Sequence, residues 1–197
     1  MLFRSWVDRR SLLIHSQVDR LFFSAAFKQT ELRLGRQRIN WGIANVWNPN
    51  DLFNAFNFLD YDYEERPGSD AVRVMHNLSN TAVMEAAVSP SKTKKNTVAA
   101  ALYKWNRWKY DFQVLLGYFK NSLASGGGWA GSIGDAGFKG EITWFHDLED
   151  SVREKDSFSA TLMTDYSFKN SWYGSAGVLY ESAVSQSTLL HTIGAST

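Results

Sequence analysis

The chain contains no cysteine among its 197 residues. This absence excludes a disulfide framework and any metal site that uses cysteine ligands. Long apolar runs are missing as well. The longest ones, Val98 to Tyr103 and Val114 to Gly117, fall far short of the roughly 20 residues that a membrane-spanning helix needs. The sequence therefore predicts no transmembrane helix.

A strong excess of one charge is also absent, because the formal net charge is +1 at pH 7. Phosphate binding requires a clustered basic excess, so we expect no nucleic-acid partner. Hydrophobic residues make up 44% of the chain, and the mean hydropathy is −0.31. These averages do not exclude a membrane, because a transmembrane β-barrel carries its lipid-facing side chains only at every second position.

Alternation of apolar and polar residues is the main positive signal, and it is clearest from Gly137 to Glu181. In the segment 138–144, Phe138, Ile142 and Trp144 share one parity, whereas Lys139, Glu141 and Thr143 share the other. The segments 158–168 and 172–180 repeat the pattern, apart from Leu179. A period of two predicts strands with unlike surroundings on their two faces, here lipid and a watery lumen.

Turn signals divide the sequence into ten strand candidates, with a further one at Thr188 to Ile193. They are His15 to Phe27, Thr30 to Gly42, Ser69 to Leu78, Thr81 to Ser89, Thr97 to Trp105, Lys109 to Lys120, Gly127 to Ile133, Gly137 to His146, Ser157 to Phe168 and Ser171 to Ser182. Short connections alternate with longer ones, which are predicted at 43–68, 90–96, 121–126 and 147–156. This alternation is typical of outer membrane barrels, with short periplasmic turns and longer extracellular loops.

The candidate Thr30 to Gly42 contains a change of parity between Leu34 and Ile39. A β-bulge at Gly35 would reconcile its two halves and turn Arg36, Arg38 and Asn40 inward. The alternative is that this strand end rises above the membrane, where no parity is enforced. Farther along, the glycine-rich segment 125–128 is predicted to be a loop between strands.

Aromatic residues make up 15% of the chain and gather near the proposed turns. One group contains Trp105, Trp108 and Tyr110, and another contains Tyr166, Phe168 and Trp172. Amphipathic rings at strand ends suit an interfacial girdle. Aromatic packing under the turns of a soluble β-protein is the alternative.

A family resemblance is carried by the segment 32–51, LRLGRQRINWGIANVWNPND, and by its continuation FNFLDYDYEERPGSDAVRV. The segment resembles porin-like outer membrane barrels of Gram-negative bacteria, an uncharacterised group with alginate-export and other porin-type barrels as looser relatives. The resemblance implies an all-β fold, an antiparallel up-and-down transmembrane β-barrel, and a transport or channel function without a defined substrate.

The opening Met-Leu-Phe-Arg-Ser resembles the translation of a sequencing adapter, and the segment 1–10 lacks the features of a secretory signal. We therefore expect residues 1–5 to be a non-native leader. Residues 6–197 are expected to form a single β-barrel domain that is incomplete at both ends, so that a larger barrel is preferred over a closed ten-stranded one.

Charged residues on the inward parity are the candidates for lining a pore and sorting solutes by charge. They are Arg33, Arg36, Arg38, Arg73, Glu85, Asp111, Lys139 and Glu141. Their mixed signs predict no preference for anions or cations. Each could equally belong to an ion-pair ladder between neighbouring strands.

The connection 43–68 is long and too apolar for a freely solvated loop, so we expect it to fold into the barrel as a constriction. Its candidate residues are Trp47, Asn48, Asp51, Phe53 and Phe56. Asp51 is also placed to cap a short helical turn. Hydrophobic packing is the expected role of the aromatics, and a sugar-stacking platform is the alternative.

Chemistry at a catalytic or metal site is not predicted. The four histidines lie on different strand candidates without metal-ligand spacing, and no serine occupies a nucleophile-elbow motif. The acidic run Asp60, Asp62, Glu64 and Glu65 lacks the spacing of an EF-hand and is expected to pair with Arg66 or Arg73. The expectation is thus a protein that is not an enzyme and has no cofactor.

The preferred reading is a channel in the outer membrane of a Gram-negative bacterium, whose partners are membrane lipid and small polar solutes. Association into homo-oligomers stays open. The rival is a soluble β-sandwich or carbohydrate-binding module, which would bury the apolar face against a second sheet. A third reading is a structural barrel with a plugged lumen.

Overall fold

The structure is a computed structural model that describes residues 3–9, 12–53, 68–148 and 156–182, with side chains described from residue 18 onward except at residue 94. Twelve strands account for most of these residues, and the helical element among them is one 3-10 turn, Lys94–Asn96. No helix in the described ranges is long and apolar enough to cross a membrane.

Among the described strands, β1 (Phe3–Arg9) and β2 (Leu12–Gln17) pair only with each other. The main sheet contains the other ten. They are β3 (Leu21–Phe27), β4 (Thr30–Gln37), β5 (Ser69–Ser79), β6 (Ala82–Ser89), β7 (Val98–Arg107), β8 (Tyr110–Phe119), β9 (Ser122–Ile133), β10 (Ala136–Asp147), β11 (Asp156–Ser167) and β12 (Tyr173–Glu181).

The main sheet is an antiparallel meander in which every strand pairs with its neighbours in sequence, in the order β3 to β12. This confirms the all-β fold and the up-and-down order of about ten strands. The sheet is not closed into a barrel. Within the described residues, β3 and β12 remain its two edges.

The predicted strand His15 to Phe27 is wrong, because the chain breaks there into β2 and β3 of two different sheets. At the break, the Arg36 guanidinium donates to the Val18 carbonyl over 3.2 Å. The strand candidate Thr188 to Ile193 lies outside the described residues.

The predicted bulge at Gly35 is also wrong. Gly35 pairs in unbroken register with Phe22 on one side and Ala71 on the other. Its φ of 124° and the nearby Leu21 carbonyl oxygen exclude a Cβ atom, which explains the glycine. The parity changes because β4 ends at Gln37, so Ile39 and Trp41 belong to a loop.

The segment 121–126 is not the long loop that was predicted. Strand β8 ends at Phe119 and β9 begins at Ser122, so the connection is only Lys120 and Asn121, with φ values of 46° and 76°. Two successive left-handed residues form the type I′ pattern that matches the twist of a hairpin. The glycine-rich segment 125–128 consequently lies inside β9.

The two faces of the sheet differ in chemistry and in exposure. We call one the apolar face; its members remain substantially exposed, for example Leu116 at 68% and Val178 at 68%. Other members of the apolar face are Leu32, Leu34, Val72, Val74, Met84, Val88, Val114, Ile142, Trp144 and Leu162. The opposite face, which we call the polar face, carries Arg33, Arg73, Glu85, Lys104, Gln113, Lys139, Glu141 and Thr143.

A small core lies on the polar face and not on the apolar one. It joins Ile39, Trp41, Leu52 and Phe53 from the segment 38–53 to a patch on strands β5 to β9. That patch consists of Ala71, Ala87, Val98, Ala100, Leu102, Leu115 and Ala124. The segment 38–53, called the covering loop below, therefore packs against the middle of the polar face.

Candidate functional site

The covering loop is held by its own apolar side chains, because Ile39 and Trp41 are fully buried. The Phe53 ring meets the Trp41 indole edge-to-face at a centroid distance of 5.0 Å. Leu102 and Leu115 provide the apolar surface beneath them. Burial of two large aromatic rings fixes the path of the loop across the sheet.

The Glu141 carboxylate is the main polar anchor of the covering loop. Its Oε1 atom accepts the backbone N–H of Ala44 over 2.7 Å and also that of Ile43, and its Oε2 atom accepts the N–H of Asn50 over 3.1 Å. Glu141 itself is 2% exposed. A buried carboxylate needs such donors, because without them its desolvation would be strongly unfavourable.

Two glycines of β9 make room for the covering loop above the sheet. A Cβ atom at Gly126 would overlap the Asn50 side chain, and one at Gly128 would lie 2.9 Å from the Ile43 Cδ1 atom. Both positions share the polar face with Glu141, whose register partner is Gly128. The glycine-rich segment is thus the surface on which the loop rests.

Asn50 connects the covering loop to the sheet at the same place. Its Nδ2 group donates to the Gly127 carbonyl over 2.9 Å, and its Oδ1 atom accepts the Thr143 hydroxyl over 2.8 Å. Asn50 and Thr143 are both fully buried. All these bonds join residues that are more than 70 positions apart in sequence, so they depend on the assembled sheet.

A second polar cluster surrounds Trp41. Its indole N–H donates to Glu85, and the Gln113 side chain donates to the Trp41 carbonyl over 2.8 Å. Arg73 binds both oxygens of Glu85, at 2.7 and 2.8 Å. Bidentate guanidinium–carboxylate pairs are strong and directional, so this pair sets the orientation of the carboxylate beneath the loop.

The remaining constriction candidates occupy different positions in the covering loop. Asp51 is 3% exposed, and its side chain accepts the backbone N–H of Trp41 over 3.5 Å. The helical turn that Asp51 was predicted to cap would extend into residues 54–67, which lie outside the described residues. Asn48 packs its side chain against Gly42, and Trp47 is half-buried. Phe56 and the acidic run lie outside the described residues.

The other predicted pore-lining residues lie mostly on the polar face. Arg33 pairs with Glu31 at 2.6 Å, and Lys139 bridges Asp165 and the Asn45 side chain at 3.2 Å each. Asp111 accepts the Asn106 amide over 2.7 Å. Arg38 follows the end of β4, and its Nε atom has no hydrogen-bond partner among the described residues.

Arg36 does not join this group. It has the parity of Leu32 and Leu34 and binds Asp70, its register partner, through two hydrogen bonds of 2.9 and 3.0 Å. The inward orientation expected for Arg36 depended on the bulge at Gly35. Because β4 runs regularly, Arg36 stays on the side of the apolar residues.

Several residues of the site were not predicted. Gln113, Thr143 and Lys104 lie on the polar face, and Lys104 lies in electrostatic range of Glu85, Glu141 and Asp51. The parity of Lys139 and Glu141 would have indicated Thr143, and a polar Gln113 inside an apolar strand was a visible signal. Asn50 lies between two of the constriction candidates, Asn48 and Asp51, but was not itself one of them.

Chemically, the site combines charges of both signs with a loop held in one position. Within the described ranges, no group of three or more histidine, aspartate or glutamate side chains could hold a metal ion. His76 contacts Thr30 at 2.8 Å and His146 contacts Asp156 at 2.8 Å, on separate strands. Such an arrangement is suited to narrowing the space above the polar face.

The Glu141→Gln variant tests the anchor of the covering loop. The amide retains only one acceptor oxygen, so we expect a loss of about 2 kcal/mol in unfolding free energy, typical of a hydrogen bond to a charged group. Amide exchange at Ile43, Ala44 and Asn50 should accelerate. Glu31→Gln, on the same face but away from the loop, is the control. Equal exchange in both variants would contradict the anchoring role.

Gly126→Ala tests the glycine surface beneath the loop. The added methyl group must displace Asn50, so amide exchange at Asn50 should accelerate and the unfolding midpoint should fall. Gly127→Ala is the matched control, because a Cβ atom there meets only the Gln113 carbonyl at 3.3 Å and Val114 at 3.9 Å. An Asn50 amide that is equally protected in both variants would show that the loop does not depend on this space.

Comparison with known proteins does not assign the chain to a family. No family model matches the chain, no curated protein matches it, and no solved structure matches it. The resemblance of the segment 32–74 to porin-like barrels therefore stays a prediction.

Proposed function

We propose that this chain is part of an outer membrane β-barrel that passes small polar solutes, with the covering loop narrowing the passage. The observation that carries the proposal is the distribution of side chains on the sheet, which is the reverse of that in a soluble protein. Its exposed face is apolar, whereas its covered face holds the ionic and amide side chains. A sheet that separates lipid from a watery lumen requires this inversion.

The apolar face supports contact with lipid. Leu34 is 54% exposed, Leu116 68% and Leu162 45%, and these residues lie on strands spread across the sheet. Monomeric soluble proteins rarely expose contiguous apolar patches of more than a few hundred Å². Acyl chains would cover this face without a protein partner.

The polar face supports a passage for polar solutes. The partly exposed ion pair Lys139–Asp165 presents both charge signs, which favours neutral or zwitterionic solutes over simple ions of one sign. The covering loop would reduce the cross-section at the level of Glu85 and Glu141. In this proposal, pore width and the mixed charges together select the solute.

The connections and aromatic residues support an orientation in the membrane. The turns between β3 and β4, β5 and β6, β7 and β8, and β9 and β10 are all short and lie at one end. Trp108 at 75% and Trp172 at 71% are exposed at this same end. A barrel of this kind would place the short turns at the periplasmic side.

Closure of the barrel is part of the proposal. The sheet has ten strands with two edges, and unpaired edge strands promote association with other strands. In a barrel, β3 and β12 would each pair with a neighbouring strand. Barrels with water-filled lumens have about 16 to 18 strands, which favours further strands between these edges.

A plugged structural barrel is the second candidate, and one observation favours it. Trp41 and Asn50 of the covering loop are fully buried, as is Thr143 of the sheet beneath it, so the loop leaves no space at its contact with the sheet. A soluble β-sandwich receives less support, because β1 and β2 pair only with each other and the described chain contains no other sheet to cover the apolar face.

Leu162→Arg tests whether the apolar face contacts lipid. In vesicles, the unfolding free energy should fall by about 2–4 kcal/mol, as for arginine near a bilayer midplane. Ser159→Arg, on the polar face of the same strand, is the control and should cost far less. If the wild-type chain is folded and monomeric in buffer without detergent, and Leu162→Arg costs under about 0.5 kcal/mol there, the membrane proposal fails.

Single-channel recording tests the passage itself. The barrel that contains this chain, reconstituted in planar bilayers, should conduct, and Glu141→Gln should raise the conductance or add flicker because the covering loop is less firmly held. Lys169→Gln, in the exposed turn between β11 and β12, should behave like the wild type. Inserted protein that never conducts, in the wild type and in Glu141→Gln alike, would favour the plugged barrel.

A further inference from the structure

The turn between β7 and β8 has an unusual combination of backbone conformation and side chains. Its central residues, Trp108 and Lys109, both have positive φ angles, 55° and 65°. A bulky aromatic residue in the left-handed region is rare, and such outliers concentrate at functional positions. Trp108 is nevertheless 75% exposed, so packing within the described protein does not explain its position.

Basic side chains accompany the exposed indole. The Arg107 guanidinium carbon lies 4.6 Å from the centroid of the Trp108 ring, within cation–π range. Lys109 follows directly, and Arg107 and Tyr110 close the turn as register partners. The nearest acidic side chain of the same hairpin, Asp111, lies on the polar face and accepts a hydrogen bond from Asn106.

An aromatic ladder leads away from this turn along the apolar face. Tyr103 stacks on Trp105 at 5.1 Å, Trp105 on Phe112 at 5.6 Å, and Phe112 on Tyr110 at 6.1 Å. Arg107 has the same parity as Tyr103 and Trp105. The guanidinium and the indole therefore stand at the end of a continuous aromatic surface, where an apolar region meets a polar one.

We propose that the turn Arg107-Trp108-Lys109 binds the headgroup of an anionic phospholipid. The inference rests on the membrane location proposed above and adds a specific lipid site to it. The Arg107 guanidinium offers paired N–H donors to a phosphate, and the Lys109 ammonium adds a second positive charge. The indole lies against the headgroup region, and the acyl chains follow the aromatic ladder.

A second turn of the same type provides an internal comparison. Lys120 and Asn121 also have positive φ angles, and the Lys120 Nζ atom lies 5.1 Å from the Phe119 centroid. Phe119, however, belongs to the polar face and packs against Phe145 at 5.5 Å. This turn combines a cation and an aromatic ring without an apolar ladder, so it should not hold a lipid.

Native mass spectrometry of the full chain in a neutral detergent, titrated with phosphatidylglycerol, tests the proposal. Arg107→Gln and Lys109→Gln should each weaken the apparent affinity about fivefold, the usual contribution of one basic side chain near an anionic lipid surface. Lys120→Gln should leave the affinity unchanged. If one of the two variants does not fold, the other makes the same comparison with Lys120→Gln.

Three outcomes would overturn the proposal: equal weakening in Lys120→Gln, equal binding of phosphatidylcholine, or displacement of the lipid by inorganic phosphate at similar concentration, which would indicate an anion site. Failure of the channel proposal looks different. In that case the wild-type chain would be folded and stable without detergent, whatever the lipid titration shows. A chain that inserts into bilayers but lacks phosphatidylglycerol preference would contradict only the lipid site.

Discussion

The alternation of side chains along each strand is the constraint on which the rest of this structure depends. In unbroken register, a residue such as Glu141 faces the same way as Gln113 and Lys104 on the strands beyond it. A shift of a strand's pairing register by one residue would move every charge on that strand to the apolar face. The register therefore determines at once which side chains meet the covering loop and which remain exposed.

The covering loop shows how a polar surface can hold a segment firmly. Trp41 and Phe53 bury their rings against the sheet, while Glu141, Asn50 and Gln113 satisfy backbone groups that would otherwise be buried without partners. Gly126 and Gly128 matter for the opposite reason, because their missing side chains leave the space that the loop occupies. Sequence segments more than 70 residues apart thus form a single site.

Much of the fold could be predicted from the sequence because periodicity is a local property. The segments 138–144 and 158–168 gave strands with the expected faces, since alternating residues report directly on two unlike surroundings. The errors arose where local patterns are ambiguous. Glycines at 125–128 resemble a loop in composition, yet they lie within β9, where they make room for the covering loop above the sheet.

The segment after β4 illustrates the same limit. Ile39 and Trp41 interrupt the strand parity, and a bulge at Gly35 accounted for this from sequence alone. The structure instead ends the strand at Gln37, so that both residues enter the covering loop and reach the core. The local pattern indicates that the strand ends, but it does not indicate where the following segment packs. That packing depends on residues from β6 to β10.

The sequence by itself determined the strand-rich class, the apolar and polar parities, and the absence of disulfides and cysteine-ligated metals, because these follow from residue types and their short-range spacing. Only the tertiary structure decided that the covering loop lies on the polar face, that Glu141 is its anchor, and that Arg36 stays on the other side. Those outcomes depend on contacts between residues that are distant in the sequence. The energies of such contacts cannot be inferred from local residue spacing.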